Sequence, residues 1–296
     1  MSQTRDLKSL IQWTGLVAGP SIAIIVFLFL PSSYHEANGQ LVEFALSGRM
    51  TLSVMVWMAI WWLTEPIHIS ATALLPILLL PILGATSLKD AASPYAHPLV
   101  YLVMGGFLIA LTMQKWRLDR RMALLTLNLV GSNPINMVGG IMAITAVLSA
   151  FVSNTATAAM MLPIALSIIE LYHSNTAATE DLSDDLDSKN FALCALLGLA
   201  YAASIGGIAT IIGTGPNSFL VGFIDETIAH QYRSEISFAN WLVIGVPLTA
   251  IFLPITWFLL TRVIFPLKVK EIQGGHELIK SELAKLGSIS LGEKLT

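Results

Sequence analysis

One cysteine in 296 residues, Cys194, rules out an intrachain disulfide, and its apolar surroundings mark it as a packing thiol. Charge is equally scarce. Asp, Glu, Lys and Arg make up 12% of the chain and leave a net charge of -3, too little for a nucleic-acid surface or a polybasic lipid patch. No Gly-rich phosphate loop, metal-ligand cluster or nucleophile triad stands in the sequence, so an intramembrane enzyme is an outlying reading. The first ten residues carry Arg5, Asp6 and Lys8, and the apolar run behind them lacks a small-residue cleavage pattern. That run reads as a retained transmembrane helix and not as a secretory signal.

What the chain has in abundance is apolar surface. At 55% hydrophobic residues and a mean hydropathy of +0.72 it falls in the range of polytopic membrane proteins. A hydrocarbon core of roughly 30 Å needs about 20 residues of helix, and spans are expected near 12–30, 49–64, 70–85, 98–114, 191–213 and 241–265. Between the second and third of these stands only "PIHIS", so Glu65 and His68 mark a tight, solvated turn at one membrane face, with Trp57, Trp61 and Trp62 close by as interfacial aromatics. The stretch "KWRLDRRMALLTL" is amphipathic and is expected to lie flat on the membrane surface, with Arg120 and Arg121 on its polar side.

The segment "LSAFVSNTATAAMMLPIA", residues 148–165, is different in kind. It gathers Ser149, Ser153, Asn154, Thr155 and Thr157 where hydrocarbon is expected. The apolar runs on either side, 135–152 and 154–169, are short for upright spans and are separated only by Ser-Asn-Thr, so they read as a re-entrant helical hairpin. With a cytoplasmic N-terminus and a hairpin that enters and leaves from one face, 13 Lys and Arg fall inside, against Arg49, Lys89 and Arg233 outside.

Irregular backbone at membrane depth is tolerated only inside protein or against a wet cavity. Ser153-Asn154-Thr155 ends one half-helix and caps the next, whose free N–H groups and dipole favour an anion. The carbonyls ending the first half-helix, with Ser149 one turn earlier, are hard oxygen ligands suited to a small cation such as sodium. A second break is expected in "AYAASIGGIATIIGTGPNSFLVGF", residues 200–223, where Pro216 removes a donor and the span unwinds near 213–217 before restarting. Gly206-Gly207 reads first as a close-packing seam.

"SNTATAAMMLPIA" followed by "SIGGIATIIGTGPN" resembles the divalent-anion:sodium symporter (DASS) family, and the likeness extends to "WLTEPIHISATALLPILLLPILG" and "MGGFLIALTMQKWRLDRRMAL". The resemblance implies an all-α membrane protein of about six transmembrane helices, one re-entrant hairpin and a broken fifth span, forming the N-terminal one of two inverted repeats. It implies that Ser153, Asn154 and Thr155 contact a substrate carboxylate, with Thr214, Gly215 and Pro216 lining the same cavity. It places sodium at Ser149, Ser153, Asn154 and Gly213. The substrate it implies is a dicarboxylate such as succinate, malate or fumarate, with sulfate or citrate as alternatives. The partners it implies are the bilayer, a C-terminal repeat and, in the complete form, a second copy of the protein; no nucleic acid is expected.

The expected organisation is a cytoplasmic N-terminus (1–11), scaffold helices (12–114), an interfacial helix (115–134), the hairpin (135–170), an acidic cytoplasmic loop (171–190), the broken and sixth spans (191–266), and a cytoplasmic connector (267–296). This is a multi-pass protein of the cell membrane. The loop contains a second Ser-Asn-Thr string at 174–176, beside Glu180, Asp181, Asp184, Asp185 and Asp187, and is read as solvated coincidence. The chain ends before a second repeat, so one repeat alone is expected to insert but not transport, and a non-transporting binding or regulatory protein is the competing class.

Overall fold

The computed structural model describes residues 2–35, 39–176, 182–232, 236–267 and 274–296. They form two compact units, Met1–His97 and Pro98–Thr296.

The first unit holds α1 (Ser2–Phe29), a small antiparallel hairpin of β1 (Ser33–His35) and β2 (Leu41–Glu43), α2 (Leu46–Thr64), α3 (Ile69–Ala73), α4 (Leu75–Ile82) and α5 (Leu88–Ala92). Gly15 and Gly19 are spaced one helical turn apart and let α1 lie directly on α2. A Cβ on Gly19 would sit 2.5 Å from Trp61 Cδ1, and one on Gly15 would overlap Thr64. This is the small-residue seam that brings membrane helices together, and the Trp61 Nε1–H locks it by donating to Gly15 O at 3.1 Å. Glu65 ends α2 in the left-handed region (φ 47), and the His68 Nδ1 accepts the Ser70 N–H to start α3, so both expected turn residues do turn the chain and both are exposed.

The helix expected at 70–85 is shorter than expected and interrupted. Its place is taken by α3 and α4, an apolar stretch of Ile69–Ile82 broken at Leu74. Pro76 and Pro81 remove two backbone donors and disfavour helix at the residue before each. Fourteen residues at ~1.5 Å each reach about 21 Å, short of a bilayer core.

The second unit runs through α6 (Pro98–Lys115), α7 (Leu118–Val130), α8 (Pro134–Ser149), α9 (Asn154–Thr176), α10 (Leu182–Gly207), α11 (Gly215–Thr227), α12 (Phe238–Phe258, continued by a π turn at Leu259–Ile264), α13 (Gly275–Lys285) and α14 (Leu291–Leu295). Its core is where α8 packs against α7, α10 and α12, with Leu124, Leu127, Met137, Ile141, Met142, Leu148 and Phe191 fully enclosed. Asn133 caps α8 by accepting the N–H groups of Ile135 (3.0 Å) and Asn136 (3.3 Å), with Pro134 pre-set at its first turn. Twelve of the 16 residues of α8 are buried, so this apolar helix is walled by protein on nearly every side. Cys194 is among them in character: fully buried, its thiol donates to Leu260 O at 3.3 Å.

Among the described residues six helices are long and apolar enough to cross a membrane: Leu7–Phe29, Leu46–Thr64, Pro98–Lys115, Asn154–Ser174, Leu186–Gly207 and Phe238–Ile264. The chain is therefore a multi-pass integral membrane protein, and the regular structure of its described residues is helical apart from the β1–β2 hairpin. Several expectations are corrected. The second arm after Ser153 is not short, because α9 continues through Thr176 and spans 23 residues. The second Ser-Asn-Thr string closes that helix, with the exposed Ser174 hydroxyl donating to Leu171 O at 2.8 Å. Asp187, read as part of a solvated loop, is buried in the first turns of α10; Glu180 and Asp181 lie outside the described residues.

The connector is also more ordered than expected, and it changes the reading of α7. Arg121 is buried, not turned to lipid. Its Nε donates to Glu293 Oε1 at 2.6 Å, and its terminal nitrogens donate to Gly287 O (3.1 Å) and Leu286 O (3.3 Å). Arg120 pairs with Glu282 of α13 at 2.8 Å. Ser290 and Glu293 form a reciprocal capping box at α14, and Gly292 lies flat on the Trp116 ring.

The Arg121 guanidinium, with the Ser290 N–H, holds the Glu293 carboxyl down to about 2. A folded value below the ordinary carboxylate value of about 4.3 means that the latch is at full strength above that pH. It is lost as the pH falls through about 2. Residues 274–296 are expected to stay protected from proteolysis down to pH 5, and Glu293→Gln to expose them at neutral pH. A variant as protected as the wild type would show that the pair does not hold the connector.

Candidate functional site

The two expected breaks in the helix pattern both exist, and they meet. The first lies between α8 and α9, at residues 150–153; the second lies between α10 and α11, at residues 208–214. Each leaves terminal carbonyls without helical partners, and side chains of the two segments bond both across and within the breaks. The Thr210 hydroxyl donates to Ala150 O at the end of α8. In return the Ser149 hydroxyl, fully buried, reaches Ala203 O in the last turns of α10 at 2.6 Å. Asn217, in the first turn of α11, spans the second gap: its Nδ2 donates to both Gly207 O and Thr210 O at 2.8 Å. The Gly213 N–H donates to Thr210 Oγ1 at 3.0 Å, which folds the unwound segment back on itself.

At the meeting point oxygen atoms crowd together. Ser149 Oγ lies 2.6 Å from Ala203 O and 2.8 Å from Asn154 Oδ1. A hydroxyl has one proton and can donate it to only one of these two acceptors. Ser149 O and Gly207 O close the same space, since a Cβ on Gly213 would fall 3.0 Å from the first and 2.5 Å from the second. A Cβ on Gly207 would overlap the Asn154 amide. Glycine at 207 and 213 thus leaves room for a cluster of neutral oxygens that would otherwise be filled with carbon. Among the described residues no group of three or more His, Cys, Asp or Glu is placed to hold a metal ion, so any ion held here is held by neutral oxygens.

Of the residues expected to bind an ion, Ser149, Asn154 and Gly213 come together, and Ser153 does not join them through its side chain. Ser153 is exposed and caps α9 instead, its Oγ accepting the Ala156 N–H at 3.4 Å and its carbonyl the Thr157 N–H at 2.9 Å. The residues expected to contact the anion divide from the buried cluster. Ser153, Thr155, Gly215 and Pro216 are exposed and Thr214 is half-buried. Buried oxygens and exposed donors therefore sit on consecutive residues of the same two breaks.

Two breaks are joined by hydrogen bonds, but the second starts earlier than expected. α10 ends at Gly207 instead of continuing to 213. Asn217 holds the freed carbonyls, and Gly206 is pressed on the Ala146 backbone so closely that a Cβ there would overlap it. The packing seam expected at Gly206-Gly207 is present. Ala203, Thr210 and Asn217 escaped the reading of the sequence. Thr210 and Asn217 had one visible signal, as polar side chains in an otherwise uncharged run, whereas a backbone carbonyl such as that of Ala203 leaves none.

A predominantly helical, multi-span membrane protein with interrupted helices meeting in an uncharged, oxygen-lined centre has the build of a secondary transporter. The citrate transporter family matches residues 59–289, and the chain belongs to that family, of the DASS type. It is 36% identical over 284 residues to the sodium-dependent dicarboxylate transporter SdcS of Staphylococcus aureus strains NCTC 8325 / PS 47, COL and N315. The alignment covers 96% of this chain and 52% of each of those proteins, so the chain spans about half the length of the curated relatives it matches.

Proposed function

We propose that this chain is the N-terminal, ion- and anion-binding repeat of a sodium-coupled transporter for dicarboxylates of the succinate, malate and fumarate type. The observation that carries the proposal is the oxygen cluster. Ser149 Oγ stands within 2.8 Å of two acceptors with one proton to give, next to the carbonyls that Gly213 leaves open. A monovalent cation relieves such crowding, and an all-oxygen cage of low formal charge suits sodium better than calcium or magnesium. The SdcS proteins are sodium-dependent dicarboxylate transporters by name, which supports the same ion and the same class of substrate.

In this reading α8 and the first part of α9 are the two arms of a re-entrant hairpin. α8, at 16 residues and about 24 Å, falls short of a bilayer and is enclosed by protein. The short, broken α3–α4 stretch completes a crossing between α2 and α6, and the hairpin enters from the cytoplasm, where the excess of Lys and Arg places both the N-terminus and the connector. The exposed Ser153 and Thr155 hydroxyls and the first N–H groups of α9 receive one carboxylate, with Thr214, Gly215 and Pro216 across from them. Sodium in the adjoining cluster fixes Asn154 and so the clamp, which couples the ion to the anion. The second carboxylate and the gating motion belong to a C-terminal repeat, and the complete transporter pairs as a homodimer. Citrate is the second reading of the substrate, favoured by the description of the matched family.

Succinate binding to the membrane-embedded chain, titrated in sodium and in choline, tests the proposal. An Asn154-dependent phase of binding is expected in sodium and not in choline, with modest affinity because no Arg enters the clamp. Asn154→Ala, which removes one member of the oxygen cluster and one anchor of the clamp, is expected to weaken it by about tenfold or more. Unchanged binding in that variant sinks the assignment.

A further inference from the structure

A second cavity lies beside the hairpin and is not part of the clamp. It encloses about 440 Å³ between α9, the α6–α7 corner and α13, within the range of about 300 to 1,000 Å³ usual for small-molecule sites. Its α9 wall is one continuous helix face: Ala156, Met160, Pro163, Ile164, Ser167 and Ile168. The twelve helical steps from Ala156 to Ile168, at ~1.5 Å each, carry that face about 18 Å. It begins at Ala156, the residue after Thr155, and so reaches the tip that presents the exposed hydroxyls.

The opposite wall carries the charge. Arg117 and Arg120 both line the cavity, with Asp119 and Glu282 as the acids. Glu282 is already committed, to Arg120 at 2.8 Å and to Lys285 at 2.5 Å. Asp119 is 4% exposed, its Oδ1 accepts the Arg120 N–H, and burial pushes its carboxyl above the usual range. Arg120 spends one terminal nitrogen on Glu282, and its buried Nε has no partner. Arg117 is exposed and has no ion pair among the described residues. Its backbone is held in the left-handed region (φ 58), a conformation that costs a branched or long side chain energy and persists where the surroundings impose it. That corner aims α7 and keeps the Arg117 side chain on the cavity.

We infer that this cavity is a second anion site, in which a small dicarboxylate or other divalent oxyanion is held by Arg117 and by the edge of the Arg120 guanidinium that Glu282 leaves open, one step along α9 from the clamp. It rests on the proposed function only in its role as a waiting place for the transported anion; binding at the arginines stands on its own geometry. Because Arg117 is exposed, the site is weak and salt-sensitive. Because it contains none of the oxygen cluster, it fills without sodium.

The test is succinate binding to the chain in zwitterionic lipid discs, with and without sodium, for the wild type and for Arg117→Gln, Arg117→Lys and Asn154→Ala. A saturable phase in choline is expected, weakened about tenfold or more by Arg117→Gln and less by Arg117→Lys, and unaltered by Asn154→Ala. Arg117→Gly, which removes the charge while accepting the left-handed backbone, replaces the Gln variant if that one does not fold. No phase in choline, or one indifferent to residue 117, overturns the inference. So does an Arg117→Gln protein that binds succinate normally but no longer retains anionic lipid in mixed discs, which would make this a headgroup site. If the sodium-dependent phase is missing while the Arg117-dependent one is present, the clamp reading falls and this site remains.

Discussion

Gly213→Ala is expected to raise the sodium concentration that orders the hairpin tip by at least about tenfold, a loss of ~1.4 kcal/mol or more in ion binding. The new Cβ would lie 2.5 Å from Gly207 O and 3.0 Å from Ser149 O, and both are backbone atoms fixed by neighbouring helices. The carbonyls would have to move apart, and the oxygens they contribute would leave the cluster. The φ of Gly213 is not in the left-handed region, so the effect comes from lost space and not from backbone strain. Gly215, two residues on, has nothing within 4 Å of its added Cβ and is the matched control. Its alanine variant is expected to fold and to bind sodium as the wild type does. The ion-binding midpoint, read by the sodium dependence of amide exchange at the tip, separates the two variants. Equal midpoints would mean that the space beside Gly213 is not an ion site.

Gly206→Ala is expected to have the larger effect on folding, a destabilisation of about 3 kcal/mol or more. A Cβ at this position would overlap the Cα, C and O of Ala146, all backbone. Gly206 sits near the end of α10 where it crosses α8, so neither helix can withdraw without opening contacts such as Gly198 against Met142. Helix propensity works in the opposite direction, since alanine favours helix over glycine by about 1 kcal/mol. Overlap with backbone outweighs that gain. Denaturant titration of the disc-embedded protein measures the sum, and a variant as stable as the wild type would show that α8 and α10 are not packed in this way.

The sequence made the two breaks visible because each carries its own local chemistry. Ser153-Asn154-Thr155 is a helix start in the middle of an apolar run, and Pro216 cannot extend a helix begun upstream. Where those breaks begin was less legible. α10 stops at Gly207 because of bonds from Asn217 and a backbone contact with Ala146; Asn217 stood out only as a polar residue in an apolar run, and the Ala146 contact leaves no mark in the sequence. The helix expected at 70–85 came out shorter and broken for the converse reason: its hydropathy is high, and Pro76 and Pro81 limit how far it runs unbroken.

Charge was misread for want of a partner. Arg121 looked like a surface residue of an amphipathic helix, and the carboxylate that buries it stands 172 residues further along the chain. Hydrophobic periodicity locates a helix face, whereas an ion pair of that separation is set by the docking of the connector. The residues of the proposed clamp and of the oxygen cluster were legible as residue types. Their division into buried Ser149 and Gly213 and exposed Ser153, Thr155 and Pro216 emerged only from the way the two breaks interlock.

The central claim is that sodium occupies the oxygen cluster and so orders the tip. Amide hydrogen exchange across residues 150–157 and 208–214, compared in sodium and in choline at equal ionic strength, tests it without a substrate. Sodium is expected to slow exchange at both breaks together, because Ser149, Asn154 and Gly213 contribute to one site. Identical exchange in the two salts would contradict the account.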